Sequence, residues 1–232
     1  VVAAAATNGL RLAGKRAQDI RVVGMGAGAA GIACHTMLRK IGVPVDAITL
    51  LNKGGVLHPG CTDLCPEQME FASAPEGTTL AQALAGADLF LGLSGPGLLS
   101  ADLVTTMTPD PIIFALANPT PEIMPDAAHA ASPGAMIATG RSDYSNQVNN
   151  VLCFPCIFRG ALDVAARDID DAMKLACVEA IAGLARAVTS AEVGLAYEGE
   201  RLTFGPDFLI PKPFDPRLLP TVAVAVARAA ME

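Results

Sequence analysis

Five short apolar runs recur along the chain with helix-like stretches between them: IRVVGM (residues 20–25), AITLLN (47–52), DLFLGLS (88–94), PIIFALAN (111–118) and AMIATG (135–140). Several are apolar at nearly every position, the pattern of parallel strands covered on both faces rather than of a sheet with one wet face. Residues 29–41, residues 80–84 and LSADLVTTM (99–107) space their apolar positions as helices or single helical turns do. DIDDAMKLACVEAIAGLARAV (168–188) opens on acids and closes on bases, which suits the dipole of a helix, and another helix is expected within FDPRLLPTVAVAVARAAME (214–232). VVAAAATNGLRLAGKR (1–16) has no basic start ahead of its apolar stretch, so it reads as an interior helix and not as a secretory signal. SAPEG (73–77) and AYEGERLTFGPD (196–207) read as surface loops. Alternation of strand and helix makes this an α/β chain, and the economical architecture is one Rossmann-type domain over residues 1–232. It would be a doubly wound, mostly parallel sheet with flanking helices.

Composition narrows the classes of partner. A chain of 232 residues with 52% hydrophobic content can bury one substantial core. Its 23 acidic against 16 basic residues give a net charge of -7, which repels polymers of phosphate. With no Trp and 4% aromatic residues, it is poorly supplied with base-stacking platforms or a membrane belt. Gly, Pro or a charge breaks every apolar run before the roughly 18 to 20 residues that span a bilayer. A soluble, cytoplasmic protein is expected, with neither nucleic acid nor membrane as partner. Six cysteines include two pairs close in sequence, Cys61/Cys65 and Cys153/Cys156. Buried small hydrophobes, a four-thiolate metal knot and a redox pair are the three readings. The first leads, because a zinc knot normally carries two tight C-x2-C hooks.

Candidate chemistry begins at GMGAGAAGIA, where Gly26-x-Gly28-x-x-Gly31 follows an apolar strand and opens a helix. Gly26 permits a tight turn, Gly28 lets backbone approach a pyrophosphate, and Gly31 allows close packing of the helix. Ala27, Ala29 and Ala30 complete a loop whose unpaired N–H groups face the phosphates of a dinucleotide. About 20 residues further on, the second strand should end in a residue that selects the coenzyme's ribose. Asn52 stands there, followed by Lys53. An Asp would repel a 2′-phosphate; Asn does not, and Lys53 offsets phosphate charge, so NADP is mildly favoured over NAD. Asn52 as a plain turn residue is the competing reading.

Polar residues then gather where later strands end. Asn118, locked between an apolar strand and Pro119, is placed to orient a substrate carboxylate or a nicotinamide, and an Asn-Pro turn is the plainer alternative. After the fifth strand, Arg141, Ser142, Asp143, Asn146, Gln147, Asn149 and Asn150 cluster more densely than a turn requires.

GAGAAGIA (26–33), KGGVLHPG (53–60), IIFALANPTPEIMP (112–125), ATGRSDYSNQVNNVL (138–152), FRGALDVAAR (158–167) and PKPFDPRLLP (211–220) together resemble the malic enzymes, specifically their C-terminal dinucleotide-binding domain. The resemblance runs nearly end to end. It implies oxidative decarboxylation of L-malate to pyruvate and CO2, with NAD or NADP accepting hydride and Mg or Mn holding the substrate. It assigns the pyrophosphate to Gly26, Gly28 and Gly31, a place beside nicotinamide and malate to Asn118, and the malate carboxylate to Asn149 or Asn150. The chain departs from the family at Asn52, where Asp is usual, and at Cys61, Cys65 and Cys156, the last in a CFPCIF turn. The family's Tyr acid, Lys base and metal carboxylates have no counterpart here: Tyr144, Tyr197 and the five lysines match neither role. This chain is therefore expected to bind coenzyme without turnover, as part of an enzyme that is a homo-oligomer. A non-catalytic regulatory module and another oxidoreductase of the same fold are the alternatives.

Overall fold

The computed structural model describes residues 1–197 and 202–232. Of the loop expected at 196–207, residues 198–201 lie outside the described residues. The chain runs α1 (Val2–Leu12), β1 (Val22–Met25), α2 (Ala29–Lys40), β2 (Ile48–Asn52), β3 (Gly55–Val56), α3 (Pro66–Met69), α4 (Leu80–Leu84) and β4 (Leu89–Gly92). It continues α5 (Ala101–Val104), β5 (Ile112–Ala115), α6 (Pro125–Ala131), β6 (Met136–Thr139), α7 (Phe154–Asp163), α8 (Asp171–Arg186), α9 (Ala191–Ala196) and α10 (Leu218–Met231). Its contacts gather into two compact units, one formed by Gly9–Tyr144 and the other by Val1–Asn8 with Ser145–Glu232.

All five apolar runs become strands, and the sheet order is β3-β2-β1-β4-β5-β6. Every pairing from β2 to β6 is parallel, with Val23 lying between Thr49 and Phe90 in the register. Each residue of β1, β4, β5 and β6 is buried, which explains why these runs carry almost no alternation. The sixth strand, β3, pairs antiparallel with β2 across a tight return in which Gly55 has φ +119°. A two-residue strand is too short to leave a periodic signal. Phe90, Ile113, Leu84 and Val104 fill one side of this unit's core. Thr79 and Gln82 cap α4 reciprocally, each side chain accepting from the other residue's backbone N–H.

The other unit is helical. At Gly160 of α7, a Cβ would lie 2.4 Å from the Ala223 carbonyl oxygen of α10, so only glycine lets these two helices come so close. Asn8 is fully buried, and its amide donates to the carbonyls of Ala182 and Leu209 while its oxygen accepts from Arg186. Asp170 caps α8 by accepting from Met173 N–H at 2.9 Å. The CFPCIF stretch is a helix entry rather than a turn. Phe154 begins α7, and Pro155 sits in its first turn, where a missing N–H breaks no helical bond.

Candidate functional site

The strand order reverses at β1, whose neighbours are β2 on one side and β4 on the other. In such sheets the crevice beyond the carboxyl ends of the strands at this switch point is where ligands enter. The backbone locks the loop there: Gly26 N–H donates to Leu51 O at 2.9 Å, and Leu93 N–H donates to Met25 O at 2.8 Å.

The three glycines of the fingerprint meet different constraints. Gly26 has φ +115°, and a Cβ on it would stand 2.6 Å from Leu93 O. At Gly31, in the first turn of α2, a Cβ would fall 1.7 Å from Gly26 O, so the helix is seated directly against the loop. Gly28, the residue preceding α2, is extended and has open space where its side chain would be. Gly26 and Gly31 are therefore required by the fold, whereas Gly28 is not. What a side chain at Gly28 would fill is the cleft itself. The first bond of α2 runs from Ile32 N–H to Gly28 O, which leaves the N–H groups of Ala29, Ala30 and Gly31 without helical acceptors. No acidic residue in this turn opposes an anion.

A cleft of about 440 Å³ opens beside this loop. It is lined by Gly26, Ala27 and Gly28, by Asn52, Lys53 and Gly54 at the end of β2, by Leu93 and Ser94 beyond β4, and by Gln68 of α3. The expected cradle and the expected ribose-selecting position thus lie on one cavity. Asn52 also makes the turn of the competing reading, its Oδ1 accepting from Gly54 N–H at 2.7 Å.

Two further residues hold this cleft that the sequence reading did not single out. Gln68 donates from Nε2 to Ala27 O at 2.8 Å, and its Oε1 accepts from Cys65 N–H, so α3 props the middle of the glycine loop. Glu122, completely buried, accepts from Ser94 N–H at 2.9 Å and from Ala117 N–H at 3.1 Å. Gly92 makes room for it, since a Cβ there would lie 2.4 Å from Glu122 Cδ. Their signal in sequence was weak: one acid in an apolar PTPEIMP stretch, and one Gln near a Pro. Below the loop, His35 of α2 is buried against Gly24 and bonds through Nδ1 to Gly31 O at 2.7 Å. Burial pushes its pKa from 6.5 to about 4, against the smaller pull of that bond.

Asn118 follows β5 and is exposed, joined to Pro119 by a cis peptide. Its amide lies over Gly140 at the end of β6, where a Cβ would come within 2.8 Å of Nδ2. Arg141 reaches back to Pro119 O at 3.2 Å while pairing with Asp143 and stacking 5.6 Å from the Tyr144 ring. Asn118 does not line the 440 Å³ cleft.

Asn149 and Asn150 belong to the helical unit. Asn149 accepts from Val151 N–H at 3.0 Å and so caps a 3-10 turn at Asn150–Leu152, and Asn150 is exposed. Asn146 of the polar cluster is structural: buried, it donates to Pro206 O and accepts from Leu209 N–H. Tyr197 accepts from Phe214 N–H, and its ring lies 5.3 Å from Lys212 Nζ. The six cysteines are all free thiols. Among the described residues, no group of three or more His, Cys, Asp or Glu side chains is arranged to hold a metal ion, and no helix is long and apolar enough to cross a membrane.

Comparison with known proteins agrees with this geometry. Residues 1–196 match the family model for the malic enzyme NAD binding domain. The chain is 52% identical to a NAD-dependent malic enzyme of Rhizobium meliloti, over 100% of this chain and 30% of that protein. It is 51% identical to a NADP-dependent malic enzyme of Escherichia coli, over 99% of this chain and 30% of that one. Among solved structures it superposes on Entamoeba histolytica malic enzyme with a TM-score of 0.86 at 33% identity, covering 99% of this chain and 46% of the other. The malic enzyme of Pyrococcus horikoshii gives 0.85 at 35% identity, with 99% and 52% covered. The chain thus spans about a third of the length of these curated relatives. On its strand order, its glycine loop and this likeness, the chain belongs to the NAD-binding domain family of the malic enzymes.

Proposed function

We propose that this chain is the coenzyme-holding part of an enzyme that oxidises L-malate and releases pyruvate and CO2, with hydride passing to NAD or NADP. The observation that carries the reading is the open space at Gly28, on a cleft at the point where the strand order reverses, in a chain of this family. A bound nicotinamide coenzyme supplies the hydride acceptor. The chain's own residues bind and orient. The N–H groups of Ala29, Ala30 and Gly31 receive the pyrophosphate, with Gly26, Ala27 and Gly28 forming the bed beneath it. Asn52 and Lys53 meet the adenosine ribose. A neutral amide beside a lysine repels no 2′-phosphate, so NADP is the favoured coenzyme; relatives of both specificities stand at nearly equal identity.

Asn118 orients nicotinamide and malate. The Asn149–Asn150 pair takes a malate carboxylate, and Asn149 is the better contact: its Oδ1 is held on Val151 N–H, which leaves its NH2 fixed in direction and ready to donate. The acid, the base and the carboxylates for Mg or Mn come from elsewhere in a longer, homo-oligomeric, cytoplasmic enzyme that engages neither nucleic acid nor membrane. On its own, this chain binds coenzyme without turnover.

The test is Asn118→Ala in the full-length enzyme. Loss of one hydrogen bond to a charged group costs about 1.5 to 3 kcal/mol, a roughly 10- to 150-fold fall in kcat/KM. An unchanged kcat/KM together with a lowered melting temperature would make Asn118 a turn residue only.

A further inference from the structure

The thiol contact in this molecule joins neither of the pairs that are neighbours in sequence. Cys153 lies at the junction between the 3-10 turn Asn150–Leu152 and α7, and Cys177 lies in the middle of α8. Their sulfur atoms are 3.4 Å apart. A disulfide bond measures about 2.05 Å, so roughly 1.4 Å of approach separates the thiol pair from a covalent bridge. The two partners are unlike. Cys153 is partly exposed beside exposed Val151 and Phe154, whereas Cys177 is buried at 3% exposure.

We propose that Cys153 and Cys177 are an oxidation site, a peroxide-sensitive pair that closes into a reversible disulfide and ties the entrance of α7 to α8. The contact with Cys177 draws the pKa of Cys153 down, against the opposing effect of burial, and the same contact pushes Cys177 up. Of the two thiols, the partly exposed Cys153 is therefore the one that ionises first, and buried Cys177 holds its proton longer.

The chemistry balances with hydrogen peroxide as oxidant. The Cys153 thiolate attacks one peroxide oxygen; an S–O bond forms, the O–O bond breaks, and the leaving hydroxide takes up a proton to become water. The Cys177 sulfur then attacks the sulfenic sulfur of Cys153. An S–S bond forms, the S–O bond breaks, and the departing hydroxyl carries away the Cys177 proton as a second water. Two thiols are oxidised by two electrons and one peroxide is reduced. A small dithiol reverses the bridge by exchange.

Cys156 is the competing partner, in the first turn of α7 and buried. Among the described residues it makes no sulfur contact with Cys153, whereas Cys177 does.

The experiment treats the purified protein with hydrogen peroxide, alkylates the remaining thiols and maps disulfides by peptide mass spectrometry. The expected result is a Cys153–Cys177 cross-linked peptide that a dithiol abolishes. Cys177→Ser should leave a sulfenic acid on Cys153 that dimedone traps, and Cys153→Ser should leave Cys177 unmodified. Circular dichroism of both serine variants checks that the fold is intact, and mapping of the unsubstituted protein requires neither. A Cys153–Cys156 bridge, oxidation confined to Cys61 or Cys65, or six alkylated thiols after peroxide would each overturn the proposal.

Discussion

Glu122 holds Ser94 in place, its buried Oε1 accepting from the Ser94 backbone N–H at 2.9 Å while Oε2 accepts from Ala117 N–H. One side chain thereby joins the end of β4, where Ser94 lines the 440 Å³ cleft, to the end of β5, which presents Asn118. Glu122→Gln substitutes an NH2 for one of the two acceptors and turns it toward a backbone donor. A buried donor left unmatched costs about 1 to 3 kcal/mol, and urea unfolding should register a loss of that size. Stability equal to that of the parent protein would mean that solvent satisfies these backbone groups instead.

His35 makes stability depend on pH. Its pKa is about 4 when folded and ordinarily 6.5, so the unfolded chain takes up a proton in that interval while the folded protein does not. The contribution is complete above about pH 6.5 and falls away as the pH drops toward about 4. At about 1.4 kcal/mol per pH unit, the loss sums to about 3 kcal/mol. His35→Leu should flatten this part of the stability profile, measured as the difference in unfolding free energy between about pH 7 and pH 4. A profile as steep as that of the parent protein would assign the acid sensitivity to other groups.

Asn52→Asp should keep the turn, because a carboxylate oxygen accepts from Gly54 N–H as the amide oxygen does. What changes is charge at the cleft. A carboxylate pairs with ribose hydroxyls and repels a 2′-phosphate, so the ratio of NADP to NAD affinity should fall, by about tenfold for each 1.4 kcal/mol of discrimination. Titration with both coenzymes measures the ratio, and no fall would leave Asn52 as a turn former alone.

The strands were legible because parallel strands buried on both faces leave unbroken apolar runs, and the strand–loop–helix turn at Gly26–Gly31 was legible because its glycines follow such a run directly. What sequence left out is what depends on distant backbone. Glu122 serves two strand ends that meet only in the sheet, Gln68 serves a loop 41 residues away, and β3 is too short to carry a pattern. Asn52 was open between two readings because it both makes a turn and lines the cleft. The sulfur contact was hidden by sequence proximity: Cys153 lies near Cys156 in the chain but meets Cys177 of α8.

The glycine loop separates fold from ligand most cleanly. Gly26→Ala faces a positive φ and a backbone oxygen, and Gly31→Ala faces Gly26 O directly, so each should cost at least about 2 kcal/mol of stability. At Gly28 an added Cβ meets nothing within 4 Å, and the backbone angles are open to any residue, Val included. The decisive measurement is calorimetric titration of Gly28→Val with NADP and NAD, beside its thermal melt. The account predicts an unchanged melting temperature with coenzyme affinity lost. Coenzyme binding at the parent affinity in that folded variant would contradict the cradle.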